Sequence, residues 1–261
     1  MNTLPPLATR VLRRLGRIKR LEASALLAED HLEQVAFWTD LPARQAAHRD
    51  FLALRSVKDH FDFSSRYFGA HQIESEIIAL LEWASQIHPR TVCEIGTAMG
   101  GTTYLLGQSL STVEELFAID LYVRRRRRLK FFSRPRQHLG FLDGSSYAPE
   151  TVEQLRSHLG DKKLDLLFID GDHSFAGVAR DFASYRHLVR SGGIVVFHDI
   201  IEDYTTRYGR PTGRWTGDVP RFWREIKQFY QTREFVESPE QDGLGIGAII
   251  YDSSVVPPRL I

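Results

Sequence analysis

The chain has 261 residues, 43% hydrophobic and 26% charged, with a formal net charge of +1. That is the composition of a globular protein with one large domain and additions, or two small domains, and the near-zero net charge argues against a general nucleic-acid binder, although the charge is unevenly spread. No apolar run approaches the ~18–20 residues that cross a bilayer, no signal-peptide pattern opens the chain, and a single cysteine, Cys93, excludes an internal disulfide framework and points to a reducing, cytoplasmic setting.

In chain order, the first predicted element is basic. Arg10, Arg13, Arg14, Arg17, Lys19 and Arg20 precede the first acid, while Leu4, Leu7, Val11, Leu15 and Ile18 recur at helical spacing. Such a helix is expected to pack apolar side down on the protein or on a second subunit, a route to a homo-oligomer; a membrane-surface or targeting role is the alternative. Helical periodicity continues over 22–38 and 43–58, broken at Leu41-Pro42. The stretch 61–69, FDFSSRYFG, is aromatic and reads as irregular. A helix follows over 72–86 with Ile73, Ile77, Leu80, Leu81 and Ala84 on one face. Residues 1–70 are thus expected as an N-terminal helical cap and 71–261 as one α/β domain.

From Thr91 apolar runs end at Ile95, Ile119, Leu142, Ile169 and Phe197, 23 to 28 residues apart, with helix-compatible segments between them. Continuous apolar strands alternating with helices predict a parallel sheet covered on both faces. Ligands of such sheets bind beyond the carboxyl ends of the strands. After Asp199 a Gly/Pro-bearing loop leads to a helix over 219–230. Two further strand-like runs, 233–237 and 245–251, are too close for a helical crossover and predict an antiparallel pair.

The strand exits carry the chemistry. The first, CEIGTAMGGTT, offers Gly96 for a sharp turn, Gly100 and Gly101 at a helix entry whose free amides can meet an anion, and Glu94 as a carboxylate for an ammonium. Its glycines do not have the G-x-G-x-x-G spacing of a nicotinamide site. The second exit ends in Asp120, which suits the two hydroxyls of a ribose or else a helix cap. The third ends in Asp143, Gly144, Ser145 and Ser146, small polar groups for an adenine edge or for a helix start. Together these exits describe a nucleoside with a zwitterionic tail better than a pyrophosphate.

These motifs, with LLFIDGDHSFAGVARDF and LVRSGGIVVFHDI in order after them, resemble a class I S-adenosylmethionine-dependent methyltransferase. The IDGDHSFAGV and GGIVVFHDI pair is similar to a narrower group, the small-molecule O-methyltransferases grouped with cephalosporin-hydroxylase-type and macrolide-sugar methyltransferase proteins. The resemblance implies a Rossmann-like, mostly parallel seven-stranded sheet with an antiparallel C-terminal hairpin. It implies S-adenosylmethionine as cofactor, with Glu94, Gly96, Thr97, Gly100, Gly101 and Thr102 around its methionine part, Asp120 on the ribose, and Asp143 with Ser145 on the adenine. Asp170 matches the first metal-ligand acid of the metal-dependent relatives, and His198 and Asp199 fall where those carry two more oxygen ligands. The histidine departs from that pattern, because magnesium prefers oxygen while imidazole suits zinc, iron or nickel.

A hydroxyl acceptor must lose its proton to a metal-assisted route or to a general base, and Asp170, His173, His198 and Asp199 are the candidates. Each histidine has a structural alternative, His173 as a helix-start residue and His198 as a satisfied strand-exit residue. The carboxylates tilt the expectation to a divalent metal, Mg2+ or another, held by Asp170, His198 and Asp199. The loop 203–218, with Tyr204, Tyr208, Arg210 and Trp215, and the aromatic stretch 61–68 are expected covers. The Arg124–Arg128 run reads as a solvated face, or as an attractor for an anionic small-molecule acceptor. The rival functions are an NAD(P)-dependent oxidoreductase on a similar sheet and a non-catalytic cofactor-binding subunit.

Overall fold

The computed structural model describes residues 18–257, with side chains from residue 27 onward. The basic apolar-striped face expected over residues 4–20 lies outside the described side chains. Two compact units divide between Arg49 and Asp50. Helix α1 (Ile18–Thr39) belongs to the first, and helix α2 (Leu41–Ala53) straddles the division. The break between these helices falls at Asp40, whose carboxylate accepts the Ala43 N–H at 3.0 Å. Pro42 therefore opens α2 rather than ending a helix, at a position where its missing N–H is harmless.

The next helix corrects the sequence expectation twice. Periodicity suggested one helix through residue 58 and an irregular stretch after it; instead α2 stops at Ala53 and α3 runs over Val57–Tyr67. The cause is a reciprocal cap. The Ser56 hydroxyl accepts the Asp59 N–H at 3.1 Å, and the Asp59 carboxylate accepts the Ser56 N–H at 2.9 Å. The aromatic residues of this stretch are core: Phe63 and Phe68 are buried, 5.3 and 5.0 Å from the Tyr104 ring. Helix α4 (Glu74–Ser85) buries Ile77, Leu80, Leu81 and Ala84 at three- and four-residue steps, as expected.

The strands are β1 (Thr91–Ile95), β2 (Glu115–Asp120), β3 (His138–Asp143), β4 (Leu164–Ile169), β5 (Val189–His198), β6 (Gln231–Phe235) and β7 (Ile246–Ile250). They form one sheet in the order β3-β2-β1-β4-β5-β7-β6, the first five parallel and β7 antiparallel to both its neighbours. Helices α5 (Gly101–Ser109), α6 (Arg126–Phe131), α7 (Pro149–Leu159) and α8 (Phe175–Tyr185) connect the parallel strands. On one face Cys93, Ile95, Phe117, Leu167, Ile169, Val195 and Phe197 join Val178, Phe182, Phe222 and Trp223 in a buried core. The alternate residues Val92, Ala118, Leu166, Phe168, Ile194 and Val196 are equally buried, so both faces are covered. Past β5 lie the short helix α9 (Tyr204–Tyr208) and α10 (Val219–Ile226). No helix among the described residues is long and apolar enough to cross a membrane.

The C-terminal strands pair as expected, but β7 enters the sheet between β5 and β6 rather than at its edge. Gly247 brings β7 close to α10: a Cβ there would lie 2.7 Å from the Trp223 ring. Gly247→Ala is expected to overpack this contact and lower the unfolding free energy by about 1–3 kcal/mol, read by chemical denaturation. An unchanged midpoint would mean that the Trp223 ring does not rest on β7.

Candidate active site at the strand exits

The β1 exit is built by glycines. Gly96 (φ +89°) lies so close to β4 that a Cβ would sit 1.9 Å from the Asp170 carbonyl oxygen. Gly100 (φ +87°) caps α5, and a Cβ on Gly101 would meet the Ala70 backbone at 2.6 Å. The first turn of α5 is thus backed by residue 70, with Gln72 donating to the Thr102 hydroxyl at 3.2 Å. Thr97 is buried beside it. Glu94 is also buried and accepts from the Thr103 hydroxyl; burial pushes its carboxyl up to about 8.

At the β2 exit, Asp120 accepts the Ala98 N–H at 2.8 Å, tying this acid to the β1 turn. Burial raises its pKa, against the backbone bonds that lower it. At the β3 exit, Asp143 accepts the Val123 N–H at 2.9 Å and pairs with Arg126. The Ser145 hydroxyl accepts the Tyr147 N–H at 3.3 Å, a local turn bond. Asp120 and Asp143 are direct partners in the β2–β3 register, so both acids stand on one rim.

The four residues singled out at the β4 and β5 exits come together. The Asp170 carboxylate lies 3.3 Å from His198 Nδ1 and 3.5 Å from His173 Nε2. Asp199 lies 3.3 Å from His173 Nδ1 and 3.5 Å from His198 Nδ1. Asp199 reaches back because its backbone is left-handed (φ +64°), a conformation a non-glycine residue holds only under constraint. Burial opposes charge on Asp170, His173 and His198, yet the pairing outweighs it. The imidazoles hold Asp170 down at about 2, the carboxylates lift His173 to about 9, and they raise His198 well above the usual histidine range. The two imidazoles thus lie between the two acids. His198 is 5% exposed and its Nε2 is shut off from solvent, whereas His173 stands nearer the rim.

Among the described residues, Asp170, His173 and Asp199 each bring a ligand atom within 4.8 Å of the others'. The sequence groups His198 with the two acids as metal ligands; in the structure His173 joins the two acids in that place. The loop 203–218 lies against this group. The Trp215 ring stacks on His173 at 5.2 Å and 23°, its carbonyl accepts from His173 Nδ1 at 2.9 Å, and the Asp218 N–H donates to the His173 carbonyl at 2.7 Å. Trp215 itself is 60% exposed.

Several residues at work here gave no signal in the sequence. Glu76, buried on α4, accepts three hydrogen bonds from residues 237–245, and a lone acid on an amphipathic helix carries no local mark of burial. Asp181 of α8 is wholly buried, and burial pushes it up to about 7. The arginine run is not a purely solvated face. Arg125 donates to the Phe68 carbonyl and Arg128 to the Tyr67 carbonyl, each at 2.7 Å, closing the end of α3.

Residues 93–200 match the family model described as a methyltransferase domain. The uncharacterized protein y4gI of Sinorhizobium fredii is 24% identical over 169 residues, which is 61% of this chain and 17% of that protein. Among solved structures, an O-methyltransferase from Bacillus cereus, in complex with SAH, is similar with a TM-score of 0.54 at 16% identity, over 77% of this chain and 93% of that one. The O-methyltransferase TomG from Streptomyces achromogenes, involved in tomaymycin synthesis and in complex with SAM, gives 0.51 at 16% identity over 76% and 91%. At these identities the structures speak for the fold, while the family match covers the stretch from within β1 to two residues past His198. The stretch from β1 to the β5 exit is therefore similar to a methyltransferase domain, and the seven-stranded sheet that carries it has the Rossmann-like methyltransferase fold.

Proposed function

We propose that the protein transfers a methyl group from S-adenosylmethionine to a hydroxyl oxygen of a small molecule, a sugar or another secondary metabolite. The observation that carries this reading is the convergence of Asp170, His173, His198 and Asp199 beside the side-chain-free β1 turn. The site fits the cofactor chemically. Gly96, Gly100 and Gly101 let the β1 turn and the α5 N-terminus pack close to their neighbours, the helix N-terminus suits a carboxylate, Thr97 and Thr102 belong to the same turn, and Glu94 lies beneath it for an ammonium. Asp120 would hold the ribose hydroxyls, and Asp143 with Ser145 the adenine edge. A nicotinamide oxidoreductase is disfavoured by the glycine spacing and by the antiparallel β7 beside β5.

S-adenosylmethionine supplies a methyl carbon on a positively charged sulfur, so the protein's task is to align an oxygen with it and remove that oxygen's proton. Asp170, His173 and Asp199 would hold a divalent cation, whose chemistry is to acidify a bound hydroxyl. One imidazole with two carboxylates suits manganese, iron or zinc at least as well as magnesium. His173 gives up its proton when it becomes a ligand, so metal affinity should strengthen with pH. In the metal-free alternative His173, nearer the rim than His198, is the base in its unprotonated form, so turnover should rise with pH toward about 9. His198 then balances Asp170 from below, and the Trp215 loop excludes water.

Titration calorimetry should show S-adenosylhomocysteine binding and NADP silent, with Asp120→Ala weakening binding by about 1–3 kcal/mol, the share of a charge-assisted hydrogen bond. NADP binding in place of S-adenosylhomocysteine would sink the reading. Turnover, followed as S-adenosylhomocysteine release against a panel of hydroxylated small molecules, should fall to background in EDTA and return with manganese or magnesium. Asp199→Asn should remain inactive while binding S-adenosylhomocysteine. Full turnover in chelator would reject the metal and leave His173 as base, in which case His173→Ala loses roughly 10²–10⁴-fold.

The ion pairs also set a pH window for the chelated protein. The Asp170 contribution is present above its unfolded pKa of about 4 and is lost as pH falls through about 2. The His173 contribution is complete below about 6.5 and is lost as pH rises through about 9. The Tm measured in EDTA should therefore plateau in weak acid and decline on the alkaline side through about pH 9. His173→Gln should flatten that alkaline decline. An identical decline in the variant would show that His173 is not paired in the folded state.

A further inference from the structure

Glu76 is a charged residue that the proposed chemistry leaves unused, and it is 1% exposed. It sits in the first turn of α4 and faces the connection between β6 and β7. Its Oε1 accepts the Glu237 N–H at 3.1 Å and the Gln241 side-chain amide at 2.7 Å, and its Oε2 accepts the Gly245 N–H at 3.0 Å. Three donors converge on one side chain. A carboxylate suits them because it accepts at both oxygens and donates at neither, whereas a glutamine would turn an N–H₂ toward another donor.

The segment so held is strained and reaches in two directions. Gly243, Leu244 and Gly245 all have positive φ (+71°, +62° and +80°), which for leucine persists only where the surroundings over-determine it. In one direction, the Gly245 and Leu244 carbonyls accept the Ile200 and Ile201 N–H groups at 3.2 and 2.9 Å, directly after Asp199. In the other, Asp242 accepts the Tyr204 N–H at 2.7 Å and the Thr212 hydroxyl, and Glu240 accepts the Tyr208 hydroxyl at 2.8 Å. A Cβ on Gly243 would meet the Thr216 methyl at 2.9 Å, beside Trp215. The 237–245 segment is therefore a bracket with one arm on the backbone after the reaction centre and the other on the base of the Trp215 loop.

We propose that Glu76 is a positioning residue for the acceptor side of the site: through the 237–245 bracket it fixes residues 199–201 and the 203–218 cover without touching the cofactor turn. The assignment of the 203–218 loop as the cover rests on the methyltransferase reading above. Cofactor binding and cover order are therefore measured separately.

The test compares the full-length chain with Glu76→Gln. Amide hydrogen exchange over 199–218 should accelerate about tenfold, the effect of losing one buried charge-assisted bond, while exchange in β1 and α5 stays as in the parent. With 5-fluorotryptophan incorporated, the fluorine resonance assigned to Trp215 by its loss in Trp215→Phe should shift or broaden. The affinity for S-adenosylhomocysteine should stay within about twofold, since no member of the bracket lies in the β1 turn. Gln241→Ala, which removes one of the three donors, should give the same pattern more weakly, and it decides the matter if Glu76→Gln does not fold. Unchanged exchange over 199–218 in both variants overturns the proposal. So does loss of S-adenosylhomocysteine binding in step with the cover. Failure of the parent protein to bind S-adenosylhomocysteine would overturn the methyltransferase chemistry instead and leave the bracket intact.

Discussion

The backbones of β1 and β4 touch where they leave the sheet, and the rim is organised around that contact. Gly96 can have no side chain because the Asp170 carbonyl occupies the position of its Cβ. The Asp170 N–H donates to the Ile95 carbonyl at 2.8 Å, and the Gly96 N–H to the Ile119 carbonyl at 2.9 Å, so the ladder runs one residue past the strand ends. Asp170 is consequently placed by the sheet and not by a loop, at a fixed height beside a bare turn. Elements of a sheet hold geometry better than loops do, which is what in-line transfer between two bound molecules demands.

The second constraint is electrostatic. Asp170 and Asp199 stand close together, Asp199 buried, where like charges would repel, and the two imidazoles between them offset that repulsion. The charges of the cluster depend on one another. Removing one partner leaves an uncompensated buried charge, which costs far more than the pair contributes. Glu94, on the same face and pushed up to about 8, avoids adding a third negative charge at neutral pH.

The strands were legible because a parallel sheet covered on both sides needs unbroken apolar runs, as LLFI and GIVVF supply. Their exits were legible because acids and histidines cluster directly after those runs. Side-chain pairings across the rim were not. His173 rather than His198 stands nearer the opening because the β5 ladder extends through His198, opposite Ile246, and encloses it, a fact of register that spacing does not encode. The helix over 57–67 was missed because its aromatic residues suggested irregular structure, while the signal that mattered was the Ser56–Asp59 cap. Glu76 was missed for a different reason. Its partners are about 160 to 170 residues away in sequence, and nothing local distinguishes it from a solvated acid.

The insertion of β7 between β5 and β6 carries a consequence for how the protein is made. In chain order β6 emerges from the ribosome first, yet it has no neighbour in the sheet until β7 arrives to pair with it. Four of its five residues, Gln231, Thr232, Arg233 and Glu234, are exposed and polar, so the waiting strand is a poor template for a stray sheet. The nascent β5 is the opposite case. Ile194, Val195, Val196 and Phe197 offer an apolar edge until Ile246–Ile250 closes it, some fifty residues of synthesis later. The interval before that closure is when a nascent chain is most exposed to misassociation, and when a chaperone would find its strongest hold.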